Sequence, residues 1–95
     1  MAAYTIGTLT VHDTGWQKEY ADKMPALLQK HGGKVLARGP AHTLEGQGRL
    51  PGAVVMLEFP SAEHARAWYD DPAHDELKQL RRDGADVDLM LVPGV

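Results

Sequence analysis

Ala53-Val54-Val55-Met56-Leu57-Glu58-Phe59 is the stretch on which the fold turns. It is apolar at every position but Glu58, and turn residues bound it, Pro51-Gly52 before and Pro60-Ser61 after. Such a segment reads as a β-strand. Ala53, Val55, Leu57 and Phe59 fall on one side of it, Val54 and Met56 on the other. A strand with one wet face would alternate to polar residues. Both faces of this strand therefore need cover.

Upstream, Gly46 to Gly52 reads as a turn and Lys34 to Arg38 as a preceding strand, which His42 to Glu45 resumes after Gly39-Pro40. Proline donates nothing to a sheet ladder, so this strand belongs at an edge and bulges. A hairpin is the natural connection between the two strands. Before them, Trp16, Tyr20, Met24, Leu27 and Leu28 form one helical stripe in a helix running from about Thr14 or Gly15 to His31. Asp13 or Thr14 suits its cap, and Gly32 suits the left-handed residue after its last turn. Pro25 removes a hydrogen bond inside it, which predicts a kink or two short helices meeting at Met24-Pro25. Tyr4 to Val11 reads as the first strand.

Downstream, Ser61 caps a second helical region whose apolar face is Ala65, Trp68 and Tyr69. Asp71-Pro72 restarts it, with aspartate as cap and proline at the first helical position. Ala73, Leu77 and Leu80 continue the stripe, Arg81-Arg82 complement the negative end of the helix dipole, and Gly84 closes it. Val87, Leu89 and Leu91 alternate with Asp86, Asp88 and Met90 in a last strand that Pro93 ends. The order strand, helix, strand, strand, helix, strand in a single domain over residues 1–95 predicts an α+β, ferredoxin-like βαββαβ fold. Its four-stranded antiparallel sheet would carry the helices on one face. Nothing in the chain remains to cover the other, where Val54, Met56, Met90 and Val92 lie, so a homodimer packed sheet to sheet is expected.

Composition narrows the function classes. Ten Lys+Arg against thirteen Asp+Glu give a formal charge of −3, which argues against nucleic acid as a partner. No apolar run approaches the ~20 residues that span a bilayer, so no membrane partner is expected. Met1 to Gly7 lacks a basic segment followed by an apolar one, so no secretory signal is expected and a cytoplasmic location is the default. The absence of cysteine excludes disulfides, thiolate metal sites and cysteine nucleophiles.

Gly32-Gly33-Lys34-Val35-Leu36-Ala37-Arg38-Gly39, Leu44-Glu45-Gly46, Val54 to Ser61, and Ala67-Trp68-Tyr69 resemble a bacterial family of short proteins, the domain-of-unknown-function family numbered thirteen-thirty. The likeness runs from about Ile6 to Gly94. It implies the ferredoxin-like fold and the dimer of the dimeric α/β-barrel superfamily, and it implies no established reaction. Asp71-Pro72-Ala73-His74 stands where that family often has a Ser-Pro-Glu-Tyr-like run, so no aromatic hydroxyl is available at position 74.

Arg38 and Glu58 are the first candidates for chemistry. A hairpin centred near Arg49 would set Arg38 diagonal to Glu58, within reach for long side chains. A half-buried carboxylate there serves as a base, or holds an arginine that binds an anionic substrate, or fixes the assembly as a structural ion pair. Tyr20, Trp68 and Tyr69 line a binding pocket or belong to the plain core. Of the five histidines, His42 and His12 each follow a strand, and His42 joins Glu58 as a catalytic candidate. His31, His64 and His74 read as solvated residues of helix ends. Asp70 and His74 have the spacing of two metal ligands, but the Asp71-Pro72 break spoils their shared face, and no metal site is expected. Gly46-Gln47-Gly48 leads into a strand and lacks the helix N-terminus of a phosphate cradle, so no nucleotide cofactor is expected. Serine occurs once, as the cap Ser61, which leaves no hydrolase triad. Two readings follow: a module that binds or transforms a small organic molecule without metal or nucleotide, and a non-catalytic dimeric module whose polar residues only specify assembly.

Overall fold

A computed structural model describes residues 1–95. The elements are β1 (Ala3–Val11), α1 (Gln17–Lys30), β2 (Lys34–Gly39), β3 (Ala53–Phe59), α2 (Ala62–Asp70), α3 (Pro72–Gly84) and β4 (Ala85–Pro93). The strands form one antiparallel sheet in the order β2-β3-β1-β4. This is the expected ferredoxin-like arrangement, with β2 at an edge.

The helix termini follow local chemistry. Ser61 Oγ accepts the His64 backbone N–H at 3.2 Å and caps α2. Asp71 Oδ1 accepts the Ala73 N–H at 2.9 Å and caps α3, with Pro72 at a position where its missing N–H is harmless. The other Asp71 oxygen meets Lys30 Nζ at 2.8 Å and His31 Nε2 at 2.7 Å, tying the end of α1 to the start of α3. The hydrogen bonds from Lys30, His31 and Ala73 hold the Asp71 carboxyl well below the usual carboxylate range. At the end of α1, Gly32 takes φ 73° and Gly33 N donates back to Leu28 O at 2.8 Å.

Four expectations change. Asp13 accepts from Gly15 N at 3.0 Å in a local turn, so α1 starts at Gln17 with no side-chain cap. The helix also continues through Pro25, with no break at Met24-Pro25. His42 to Glu45 form no strand; they lie in the loop between β2 and β3, where Leu44 is fully exposed. The bulge of β2 falls between Val35 and Ala37 and not at Pro40. Val35 faces Leu57 and Ala37 faces Met56, so Leu36 is the extra residue.

The core lies between the helices and one sheet face. Met24, Leu27 and Leu28 of α1 pack with Leu57 and Phe59 of β3, Ala65 and Trp68 of α2, and Leu77 of α3. The Phe59 and Trp68 rings stand 5.2 Å apart. No helix covers the opposite face. There Ala37, Met56, Ile6 and Met90 are successive cross-strand partners, forming a row across all four strands. Met90 is 47% exposed and Val92 40%. The apolar second face expected from β3 and β4 is therefore present and open.

Candidate functional site

A cavity of about 210 Å³ lies between α1 and the helix-side face of the sheet. Thr5 and Gly7 of β1, Val55 and Leu57 of β3, and Leu89 of β4 border it from the sheet. Tyr20, Met24, Pro25 and Leu28 border it from α1. Gly7 sits mid-strand at the centre of the sheet, and its missing side chain leaves part of this space.

Two arginines border the same cavity, Arg38 and Arg81. Arg38 arrives because of the bulge. Val35 and Arg38 are three apart and would point to opposite faces of a regular strand, yet both border the cavity. Arg81 comes from α3, is 6% exposed, and forms no ion pair. Its Nη1 lies 3.0 Å from the Tyr20 hydroxyl oxygen, to which it donates, and 3.1 Å from His74 Nε2. His74 is fully buried, with Nδ1 3.0 Å from the Trp68 carbonyl oxygen. A carbonyl only accepts, so the His74 proton sits on Nδ1 and Nε2 accepts from Arg81. Burial, and then the Arg81 charge, push His74 down to about 4, so it is neutral at pH 7. Arg81 is thus the donor at the centre of the chain, to His74 and through it the Trp68 carbonyl on one side and to Tyr20 on the other. Because Tyr20 accepts from Arg81, its own proton is free for another acceptor.

Two further donors border this space. Thr5 Oγ1 and Trp68 Nε1 are buried without a hydrogen-bond partner. A buried donor left unmade costs about 1–3 kcal/mol. Thr5 and Trp68 also border a smaller cleft of about 170 Å³ beside α2 and β4.

The structure brings Tyr20, Arg38 and Trp68 together at the large cavity. Tyr69 borders the smaller cleft, with Lys78 Nζ 3.9 Å above its ring. The Arg38–Glu58 diagonal does not form. Lys34 stands opposite Glu58, and Arg38 opposite Val55, because the strands pair in a register centred well before Arg49. Glu58 shares the open sheet face with Met56 and lies 3.0 Å from Lys34 Nζ. His42 is exposed in the β2–β3 loop, away from the cavity lining. The lining holds no carboxylate and no histidine, so a proton-abstracting Glu58 or His42 has no place at it. His12 pairs with Asp86 at 2.9 Å on the surface. His74, expected to be solvated, is instead a core residue.

Sequence reasoning missed Arg81, Thr5 and His74. His74, Leu77, Lys78, Arg81 and Gly84 are the buried residues along α3, at spacings of three, one, three and three. That is an inward stripe whose polar members resemble surface residues when read in isolation.

Comparison with known proteins gives the fold the same character. No curated protein matches the chain. A protein of unknown function from Rhodopseudomonas palustris, RPA0582, superposes with a TM-score of 0.78 at 18% identity, covering 99% of this chain and 82% of its own. SnoaB, a cofactor-independent oxygenase from Streptomyces nogalater, gives 0.69 at 12% identity, covering 99% and 93%. A dimeric protein of unknown function with a ferredoxin-like fold from Bacteroides fragilis gives 0.64 at 12% identity, covering 98% and 96%. The profile of one family, domain of unknown function DUF1330, matches residues 2–95, and to that family the chain belongs.

Proposed function

We propose that the chain acts as a cytoplasmic homodimer and that each subunit binds a small organic molecule, with no metal or nucleotide, in the cavity beneath α1. The cavity itself carries this reading. Most of its walls are apolar, and its few polar groups include the buried donors of Arg81, Thr5 and Trp68. Tyr20, Arg38 and Trp68 are its binding residues, with Arg81 and Thr5 beside them. At about 210 Å³ it is smaller than the usual drug-sized site, so a ligand of one or two rings is the scale that fits. No carboxylate or histidine borders it, which favours binding over base-driven chemistry.

The homodimer reading rests on the row Ala37, Met56, Ile6 and Met90 on the open face. The dimeric Bacteroides fragilis neighbour supports it. Glu58 then belongs to assembly, since its carboxylate pairs with Lys34 on that face. No helix of the chain is long and apolar enough to cross a membrane.

Titration calorimetry with a neutral two-ring alcohol, naphthalene-1-methanol, tests the cavity. Saturable binding with one site per subunit is expected. Failure of this alcohol, of smaller one-ring alcohols and of the corresponding acids and amides to bind at all would leave the non-catalytic assembly module as the function.

A further inference from the structure

Resting on the cavity reading above, we infer that the ligand is an organic monoanion, a carboxylate on an apolar body, whose charge is met by Arg81 and Arg38.

Arg81 sets the first constraint. It is 6% exposed, and no carboxylate lies within ion-pair distance of it. A buried charge without a counter-ion is costly, and proteins pair such charges or bind something that does. Its neighbours within the protein do not neutralise it. Tyr20 accepts one hydrogen bond through a neutral hydroxyl, and His74 accepts another through a ring nitrogen. A guanidinium has five N–H donors, and Nη1 supplies both of these contacts. The donors on Nε and Nη2 remain, in the planar arrangement that matches a carboxylate.

The second constraint is the sign of everything else at the cavity. Arg38 adds a second positive charge and no acidic residue borders the space. Thr5 and Trp68 add donors with no acceptor, and Tyr20 holds a free proton. The indole and guanidinium groups only donate. A neutral acceptor would satisfy some of these donors and leave the Arg81 charge unmatched. The third constraint is the apolar remainder. Met24, Leu28, Val55, Leu57 and Leu89 leave no polar partner for a second charged group, which excludes a highly charged ligand such as a polyphosphate.

The test compares 1-naphthoate with its neutral isostere 1-naphthamide, by titration calorimetry at pH 7 on the intact protein. The acid should bind at least about tenfold more tightly, the scale of one charge-assisted hydrogen bond. Arg81→Met should remove that advantage, and Arg81→Lys should retain part of it. Arg38 is exposed at the sheet edge, so Arg38→Gln keeps the fold and should narrow the advantage even where an Arg81 variant does not fold. Equal binding of acid and amide to the unmodified protein would overturn the monoanion while leaving the cavity occupied. An advantage unchanged in Arg38→Gln and Arg81→Met would overturn it as well. If acid, amide and naphthalene-1-methanol all fail to bind, the cavity reading falls together with it.

Discussion

Arg81 donates to the hydroxyl of Tyr20 across 3.0 Å, joining α3 to α1 at the end of the cavity, and no acidic residue shares the contact. A charge placed this deep, with neutral partners only, organises the site chemically. The consequences divide between the cavity, the buried relay behind it, and the two faces of the sheet.

Gly7 tests the cavity sterically. A Cβ at this position would lie 3.3 Å from Leu89 Cδ1, the movable end of a side chain, with the other neighbours at ordinary distance. Gly7→Val should therefore fold, with stability within about 1 kcal/mol of the parent, because a β-branched residue suits a central strand. Its side chain enters the space, and binding of 1-naphthoate should weaken at least about tenfold. Calorimetry and urea unfolding read the two effects separately.

His74 makes stability depend on pH. Its folded value is about 4, against 6.5 for the unreacted side chain, so below 6.5 the unfolded chain takes up a proton that the folded chain refuses. The stability present above pH 6.5 is thus lost as pH falls from 6.5 to 4. Over that interval the loss is about 3 kcal/mol. His74→Gln should flatten this part of the profile in urea unfolding series between pH 7 and 4. Asp71, also held below its ordinary value, acts lower: its contribution is lost as pH drops beneath about 4. An unchanged slope in His74→Gln would contradict the buried neutral imidazole.

On the open face, Ile6 stands between Met56 and Met90, its partners on the two neighbouring strands. Met56→Glu places an unpaired carboxylate in the middle of that row, which an interface could bury only at several kcal/mol. Sedimentation should show the dimer weakened at least about a hundredfold. Leu44→Glu, in the fully exposed loop, should leave it unchanged. Equal dimerisation of both variants would place the interface elsewhere.

Gly84 closes α3 and supports the opposite end of the chain. Its carbonyl accepts the backbone N–H groups of His12 and Asp13 at 2.7 and 3.0 Å, and a Cβ on it would overlap the Trp16 indole. Gly84→Ala should lower stability by about 1–3 kcal/mol through forced displacement of Trp16. Denaturant unfolding followed by tryptophan fluorescence checks it, and an unchanged midpoint would contradict the packing.

Topology was legible because period and punctuation agree. The apolar run Ala53–Phe59, the Ser61 cap and the Asp71-Pro72 restart each have one local reading, and each is present. Register was not legible. The residues between Gly39 and Ala53 are too many to dictate a hairpin type, so the Lys34–Glu58 pairing, and with it the separation of Arg38 from Glu58, depends on packing across the sheet. The bulge at Leu36, which brings Arg38 to the cavity, leaves no mark in composition. Tyr20 and Trp68 were visible as members of the apolar faces of two different helices. Arg81 and His74 were hidden because their burial depends on partners from α1 and α2 that only the assembled core supplies.

Occupancy of the space beneath α1 is measured most directly by methyl NMR during titration with 1-naphthoate. The methyl groups of Val55, Leu57 and Leu89 border the cavity, whereas those of Met56 and Met90 lie on the opposite face of the sheet. Saturable shifts of the first set, with the second unmoved, are predicted. Shifts confined to Met56 and Met90, or none in either set, would contradict a binding site there.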